Sequence, residues 1–353
     1  MDTPFNQTSY TEQTIKDQQA RTVADVLKND PSVRSAYPSN SGFERFFIRG
    51  FPVTSQEIGF NGLYGLSTSE SMSFLSAIER VEVLKGPATL VNGMPPAGSL
   101  GGSVNLISKH AGSEPLTEVT TSYISDGQFG THLDTGARFG TEKEFGVRFN
   151  GSYLDGDTAL DHQSAADGSA MLSLDYRGQF VRIAADIGYA SQDIAPISRF
   201  ITVSPALTSV PPAPEARTNF SQPWLPFKNR SWLATVQGEV DLAENVTAYG
   251  AFGIVRAESD VSNTSSTLLN STGNTINVAI LNPIERDNVV GQGGLRTRLE
   301  TGPVTHRLNF NASIWSGETA NAIAVPGLFA SNIYRPNLVP PLTLNWPKPG
   351  KSE

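Results

Sequence analysis

No cysteine occurs among the 353 residues. Disulfides, zinc–thiolate sites and cysteine nucleophiles are therefore excluded. Histidine is scarce, and His110, His132, His162 and His306 lie too far apart in sequence for metal-ligand spacing. Positive charge is in deficit, with 26 Lys and Arg against 34 Asp and Glu and a formal charge of −8. Such a chain lacks the basic field that nucleic-acid binding requires. No stretch approaches 18 consecutive apolar residues, so no helix is expected to cross a bilayer. A membrane β-strand is not excluded, because it is apolar only at alternate positions. The opening Met1-Asp2-Thr3-Pro4-Phe5-Asn6 has neither a basic head nor an apolar run, so nothing in it reads as a signal peptide. Catalytic signatures are missing as well: there is no G-x-S-x-G elbow, no H-E-x-x-H pair and no phosphate loop. Gly291-Gln292-Gly293-Gly294 lies inside a strand pattern and lacks the rest of a dinucleotide fingerprint. An enzyme is not the expectation.

Glycine (32) and proline (23) are plentiful and the hydrophobic fraction is only 38%, a profile of many short strands, turns and long polar loops. Two textures divide the chain, one over residues 1–112 and one over 113–353. The first mixes helix and strand signals. Thr22 is placed to cap a helix through Leu27, with Val23, Val26 and Leu27 on one face and Pro31 beyond its end. A second helical stretch is predicted near Ser71–Ala77, leading into a strand at Ile78–Leu84, and a Gly-rich segment from Gly98 to Gly102 precedes a strand at Val104–Ile107. This predicts a compact α/β domain.

From about Thr117 the period changes to two. Val147, Phe149, Gly151 and Tyr153 alternate with Arg148, Asn150 and Ser152; Ile183 and Ile187 alternate with Arg182 and Asp186. Trp232 to Leu242 and Leu308 to Ile314 repeat the pattern. A soluble sandwich also alternates. The membrane alternative is favoured by strands of about ten to thirteen residues, right for a tilted span. It is favoured too by connections that alternate in length. Short turns are expected near Gly140–Glu144, Arg177–Gln179, Ala243–Asn245 and Thr301–Pro303, and long loops near Asp155–Gly168, Gln192–Arg230, Asp260–Glu285 and after Gly317. Tyr123, Phe139, Phe145, Tyr153, Tyr189, Trp232 and Trp315 sit near strand ends, as an interfacial girdle does. Phe149, Tyr153, Ile183, Ile187, Val236, Phe310 and Ile314 should face lipid. Arg148, Arg182, Asp186, Glu239 and Arg307 should face the lumen. The count is about nine antiparallel strands, an awkward number for barrels that are even-numbered and must close.

Four pieces of the first domain occur in a telling order: Phe46-Phe47-Ile48-Arg49-Gly50-Phe51; then Asn61-Gly62; then Ile78-Glu79-Arg80-Val81-Glu82-Val83-Leu84-Lys85-Gly86-Pro87; then Gly98 through Gly101-Gly102-Ser103-Val104-Asn105-Leu106-Ile107-Ser108-Lys109. Over roughly residues 4–110 this resembles the plug domain of TonB-dependent siderophore receptors. The resemblance implies a mixed α/β plug inside a 22-stranded transmembrane β-barrel, of which this chain would hold the plug and an incomplete wall. It implies a receptor in the outer membrane of a Gram-negative bacterium that imports ferric siderophore, with no resident cofactor and the iron carried in the chelate. The implied partners are outer-membrane lipid and the TonB–ExbB–ExbD complex. Thr3-Pro4-Phe5-Asn6-Gln7-Thr8 aligns with the family's first plug strand, so the TonB-contact segment is expected upstream of this chain, and a truncated form that does not transport alone is the expectation. Receptors for cobalamin, haem or a glycan, and a non-transporting gene fragment, stay as alternatives.

The resemblance also nominates residues. Arg49 is either a ligand contact near the plug apex or a structural arginine. Tyr64 and Phe74 either stack on a siderophore's rings or belong to the plug core. Trp224, in a Pro-rich loop, is a ligand contact or a girdle residue. Arg80, Glu82 and Lys85 are expected to lock plug to wall. Gly86, Gly98, Gly101 and Gly102 are expected at tight turns with φ > 0.

Overall fold

A computed structural model describes residues 6–54, 57–67, 74–87, 98, 100–124, 126–197, 201–343 and 345–351. The chain opens with β1 (Asn6–Thr11), which runs directly into α1 (Glu12–Asp17); α2 (Val23–Leu27) follows. Thr22 caps α2 as expected. Its hydroxyl accepts from the Asp25 amide at 3.1 Å, and the Asp25 carboxylate accepts from the Thr22 amide at 3.1 Å, a reciprocal capping box. Then come β2 (Val33–Ser35), β3 (Phe46–Ile48), β4 (Phe51–Val53), β5 (Ile58–Phe60), β6 (Leu63–Tyr64), β7 (Ile78–Lys85) and β8 (Gly102–Ser108). They form a five-stranded sheet in the order β1-β7-β8-β5-β6 and a three-stranded sheet β2-β3-β4.

The helix predicted near Ser71–Ala77 is one 3-10 turn at Leu75–Ala77, and Ser71 to Ser73 lie outside the described residues, as do residues 88–97 of the Gly-rich approach. Gly86, Gly98 and Gly102 have the expected positive φ, at +108°, +63° and +146°, though Gly102 already opens β8 rather than forming a turn. Gly101 corrects the expectation. It is not left-handed; a Cβ there would lie 2.6 Å from the Ile48 carbonyl oxygen, so close backbone approach is what excludes a side chain.

The wall comprises β9 (Leu116–Ile124), β10 (Gln128–Phe139), β11 (Phe145–Asp157), β12 (Ser164–Arg177), β13 (Val181–Ala195), β14 (Ile201–Val203), β15 (Phe227–Ala243), β16 (Val246–Leu268), β17 (Asn274–Thr301), β18 (Val304–Asn321), β19 (Ala324–Asn332) and β20 (Gly350–Lys351). They make one 12-stranded sheet. Its continuous path from β9 to β18 uses nine strands, all antiparallel to their neighbours, with β14, β19 and β20 as short additions. The sheet is open, with β9 at one edge.

Three predicted loops are largely strand instead, and the one after Gly317 holds the end of β18 and all of β19. Only residues 158–163 separate β11 from β12, and only 269–273 separate β16 from β17. With 23 residues at about 3.3 Å each, β16 is roughly 75 Å long. A membrane strand needs about ten residues, so the β16–β17 hairpin projects far past the bilayer.

Facing follows the alternation. Tyr153, Ile183, Ile187, Val236, Phe310 and Ile314 are exposed on the outer face and Phe149 is half-buried there, while Asp186 is buried on the inner face. Arg307 shares the inner face of β18 with Trp315. Ring pairs Tyr123–Phe129, Phe145–Tyr176 and Tyr189–Trp232 stand along the outer surface. Trp315 departs from the expected girdle: its indole Nε1 donates to the Gly65 carbonyl at 3.2 Å, which turns it toward the plug.

The plug does not close its own core. Its apolar cluster, built on Val26, Ile48, Phe60, Leu66, Val81 and Leu106, runs on into Met171, Ala190, Leu233, Val255 and Val290 of the wall. Wall glycines make room for this. A Cβ on Gly188 would sit 2.8 Å from the Phe74 ring, and one on Gly253 would sit 2.6 Å from Leu66. In the other direction, the wall's Phe227 fills the space over plug residue Gly42.

Two measurements test this arrangement in the whole receptor. Nitroxides at Ile183 and Ala184 should respond oppositely, the first to dissolved oxygen in lipid and the second to a water-soluble relaxer; the reverse pattern means a one-residue register error. Gly188→Val should destabilise the seated plug by about 1–3 kcal/mol through overpacking on Phe74, read as a lower plug unfolding midpoint in urea.

Candidate functional site

The plug's polar seat is built where β8, α1 and the β5–β6 turn meet the inner wall. Asn61 and Gly62 both have positive φ (49° and 84°), the conformation a two-residue hairpin turn demands. That turn aims the Asn61 amide at the wall: it donates to Ser108 Oγ at 2.9 Å and to Asp186 Oδ2 at 2.8 Å. Asp186 also accepts from Ser173 at 2.6 Å, so the buried carboxylate is well supplied with donors. On the other side Lys109, only 3% exposed, reaches Asp134 of β10 at 3.0 Å, and Arg148 of β11 grips the same carboxylate at 2.6 Å. Glu12 meets Lys109 at 2.9 Å and Lys16 at 2.8 Å, and Lys16 meets Glu118 of β9 at 2.7 Å. Burial pushes the Glu12 carboxyl up, but the two ammonium groups outweigh it and hold it below its ordinary value.

The link from plug to wall is clamped by wall cations. Arg148 donates to the His110 carbonyl at 3.2 Å, Arg138 to the Ala111 carbonyl at 3.1 Å and Lys143 to the Ser113 carbonyl at 3.1 Å. Asn61 and Lys109 belong to the quoted plug motifs, but their wall partners could not be read from the sequence, since each contact joins residues far apart in the chain. The one available signal was inner-face position: Asp134 and Asp186 are acidic residues on lumenal registers of period-two strands.

The outer end of the wall is the end with the long connection between β13 and β15. The plug turns its β2–β3 connection, residues 36–45, toward it. Tyr37 and Phe43 stack with centroids 5.8 Å apart, and Phe43 stacks on Phe227, the first residue of β15, at 5.5 Å. Arg34 and Arg45 flank this loop, exposed and, among the described residues, without a carboxylate partner.

Among the nominated residues, Arg49 is exposed with φ +53° at the β3–β4 turn, beside Gly86. Tyr64 is 7% exposed with its hydroxyl 3.4 Å from Ser103; burial pushes that hydroxyl up to about 12. Phe74, 2% exposed, seals plug to wall over Gly188. Both rings therefore serve the core. Trp224 donates from Nε1 to the Val339 carbonyl at 3.0 Å and packs with Leu225, Leu281 and Phe329, tying the long outer connection to the segment after β19. It is neither girdle nor free surface. Arg80 pairs with Glu79 and Glu82 on its own strand, and Lys85 pairs with Asp30 at 2.7 Å, so the contacts of this trio stay inside the plug. Lys109, Lys16, Arg21 and Asn61 reach the wall instead, Arg21 through Asp167 at 2.7 Å.

Comparison with known proteins agrees with this geometry. Residues 1–102 match the model of the TonB-dependent receptor plug domain. The ferrichrome receptor FcuA of Yersinia enterocolitica is 35% identical over 337 residues, 95% of this chain. The chain belongs to the TonB-dependent receptor family. The crystal structure of BauA, the ferric preacinetobactin receptor of Acinetobacter baumannii, superposes on 99% of this chain with a TM-score of 0.94 and 36% identity. The ferric-catecholate import receptor Fiu of Escherichia coli superposes with a TM-score of 0.80 at 21% identity, a likeness of fold. The chain spans about half the length of these relatives, 44% of FcuA and 53% of the BauA chain.

The seat makes a definite prediction. Asp134→Asn leaves Lys109 and Arg148 buried against a neutral amide and should cost about 3–5 kcal/mol. The check is hydrogen exchange of the β8 amides in the whole receptor, which should lose protection while the β12–β13 amides keep theirs.

Proposed function

We propose that this chain carries the plug and part of the wall of an outer-membrane receptor that takes up ferric siderophores with energy delivered through TonB and ExbB–ExbD. The observation that carries the reading is the seating of the plug. A separate α/β domain occupies the lumenal side of a lipid-facing sheet and turns an aromatic loop, Tyr37 to Phe43, to the outer end. A plugged lumen blocks free diffusion, so passage needs a rearranged plug and a source of work. The apolar outer face with its paired aromatic rings supports an outer-membrane location.

The ligand class is supported by the names of the relatives and by the chemistry of the outer mouth. Guanidinium groups at Arg34 and Arg45 suit the oxygen donors of an iron chelate, and the Tyr37 and Phe43 rings offer flat apolar contact. Iron enters as part of the substrate. In fluorescence-quenching titrations of the whole receptor with ferric catecholate and ferric hydroxamate siderophores, one class should bind. Arg34→Ala and Arg45→Ala should then weaken that binding by about 1.5–3 kcal/mol each. Arg49→Ala, on the exposed β3–β4 turn, should weaken it by a similar amount. Binding of haem or cobalamin with no response to either chelate class would overturn the ligand; unchanged affinity in all three variants would overturn the assignment to these arginines.

A further inference from the structure

Beyond the bilayer the wall continues as a lobe of β14, β16, β17 and β19, in which β14 pairs with β16 and β19 with β17. Its two faces are treated in opposite ways. On β17 burial alternates strictly, with Thr275, Asn277, Ala279 and Leu281 closed and Ile276, Val278 and Ile280 at least partly open. The closed face continues the lipid side of the wall. Segments of this chain cover it: Trp224, Leu225 and Val339 pack with Ala279 and Leu281, and Ser262 donates to the Pro226 carbonyl. The open face continues the lumenal side, because even-numbered β17 positions run on from Val290 to Ile276 without a register shift. On β19, Leu328 stands opposite Val278 and Ala330 opposite Ile276, so both share that face. Ile276 is 37% exposed and Leu328 65%. Branched aliphatics thus stand in water while Ser262, Thr264 and Ser266 are enclosed on the other side. That reverses the ordinary arrangement of a sheet with one wet face. Apolar side chains left uncovered together mark a binding surface.

Two further observations say what covers this surface. The apolar ladder has a foot in the outer mouth. Ile284 belongs to the cluster with Phe227 and Val261 on which the plug's Phe43 packs. From Ile284 to Ile276 the ladder climbs about 26 Å, at the usual strand rise. The face is also uncharged. From Ile284 outward, β16, β17 and β19 turn only aliphatic, hydroxyl and amide side chains to it, in a chain whose formal charge is −8. The exposed guanidinium groups of Arg34 and Arg45 flank the loop at its foot. A protein partner would need about 800 Å² of surface from each side, far more than these few side chains present.

We propose that the open face of this lobe seats an aliphatic arm of the iron chelate, so that the substrate is amphiphilic. Its oxygen donors and iron sit at the arginines of the mouth, and its alkyl chain lies outward along Leu328, Val278 and Ile276. This rests on the ligand reading above and narrows it. Hydration divides the two ends. A charged head keeps its water beside an uncharged aliphatic strip and gains nothing there. An alkyl chain sheds its water on the same strip, which raises affinity about fourfold for each methylene fully buried.

The test compares two ferric chelates of whichever class binds in the titrations above, one unmodified and one carrying a single octanoyl amide. Both are titrated against the whole receptor in nanodiscs. The octanoyl chelate should bind about tenfold more tightly, net of the entropy lost in ordering the arm. In Ile276→Thr/Leu328→Thr that gain should shrink to within about twofold, while the unmodified chelate binds as before. Threonine is a good strand former, so the change spares the strand pairing. Leu328→Met keeps an apolar chain of similar volume and should keep the gain. Arg45→Ala should weaken both chelates by the same factor, because it acts on the head. Equal binding of the two chelates by the unaltered receptor overturns the arm site and leaves the ligand class standing. A gain that survives Ile276→Thr/Leu328→Thr reports partition into the bilayer and overturns it as well. Loss of the unmodified chelate in that variant means that the receptor's own chain covers the ladder, which also overturns it. If neither chelate binds, the ligand class fails and the proposal falls with it.

Discussion

The plug does not close its core by itself. Its apolar cluster is completed by Met171, Leu233, Val255 and Val290 on the inner wall, and everything else about the molecule adapts to that dependence. A domain of about one hundred residues buries too little surface to be very stable alone, so the lumenal face of the sheet acts as the missing layer. Wall glycines at 188 and 253 exist as sockets, where any side chain would collide with Phe74 or Leu66. Phe227 over Gly42 is the reciprocal case. Shape complementarity of this kind fixes one seated position.

Around that apolar contact the seat is polar, and its polar groups are paired. Asp134 answers both Lys109 and Arg148, and Asp186 takes donors from Asn61 and Ser173. Paired buried charges add little net stability but penalise partial displacement heavily. A plug held in this way sits in one place or leaves it. That locates the sensitive points of the seat in a few carboxylates.

The wall obeys a different constraint. Every backbone group in hydrocarbon must be bonded within the sheet, and side chains must alternate between lipid and lumen. Where the strands leave the bilayer the second requirement lapses while the first persists. The distal halves of β16 and β17 remain hydrogen-bonded from Ser262 to Leu268, yet on β16 the positions that continue the outer face, Ser262, Thr264 and Ser266, are polar. Hydropathy alternation stops there, and the sequence reads as loop although the ladder continues.

The sequence by itself determined the class of fold, the α2 cap at Thr22 and the facing of Ile183, Ile187, Phe310 and Ile314. Each of these is encoded locally, by a period of two or by neighbours three residues apart. The family was legible from the order of the IRGF, NG and IERVEVLKGP segments. The site was not. Lys85 turned to Asp30 within the plug and Trp315 turned to the Gly65 carbonyl. Tyr64 went into the core, and the seat passed to Lys109, Asp134, Asn61 and Asp186. These choices belong to tertiary structure alone, because which charge meets which depends on strand register and on the depth at which the plug is seated. Lys109 and Asp134 are 25 residues apart and Asn61 and Asp186 are 125 apart; no local pattern carries information over that distance.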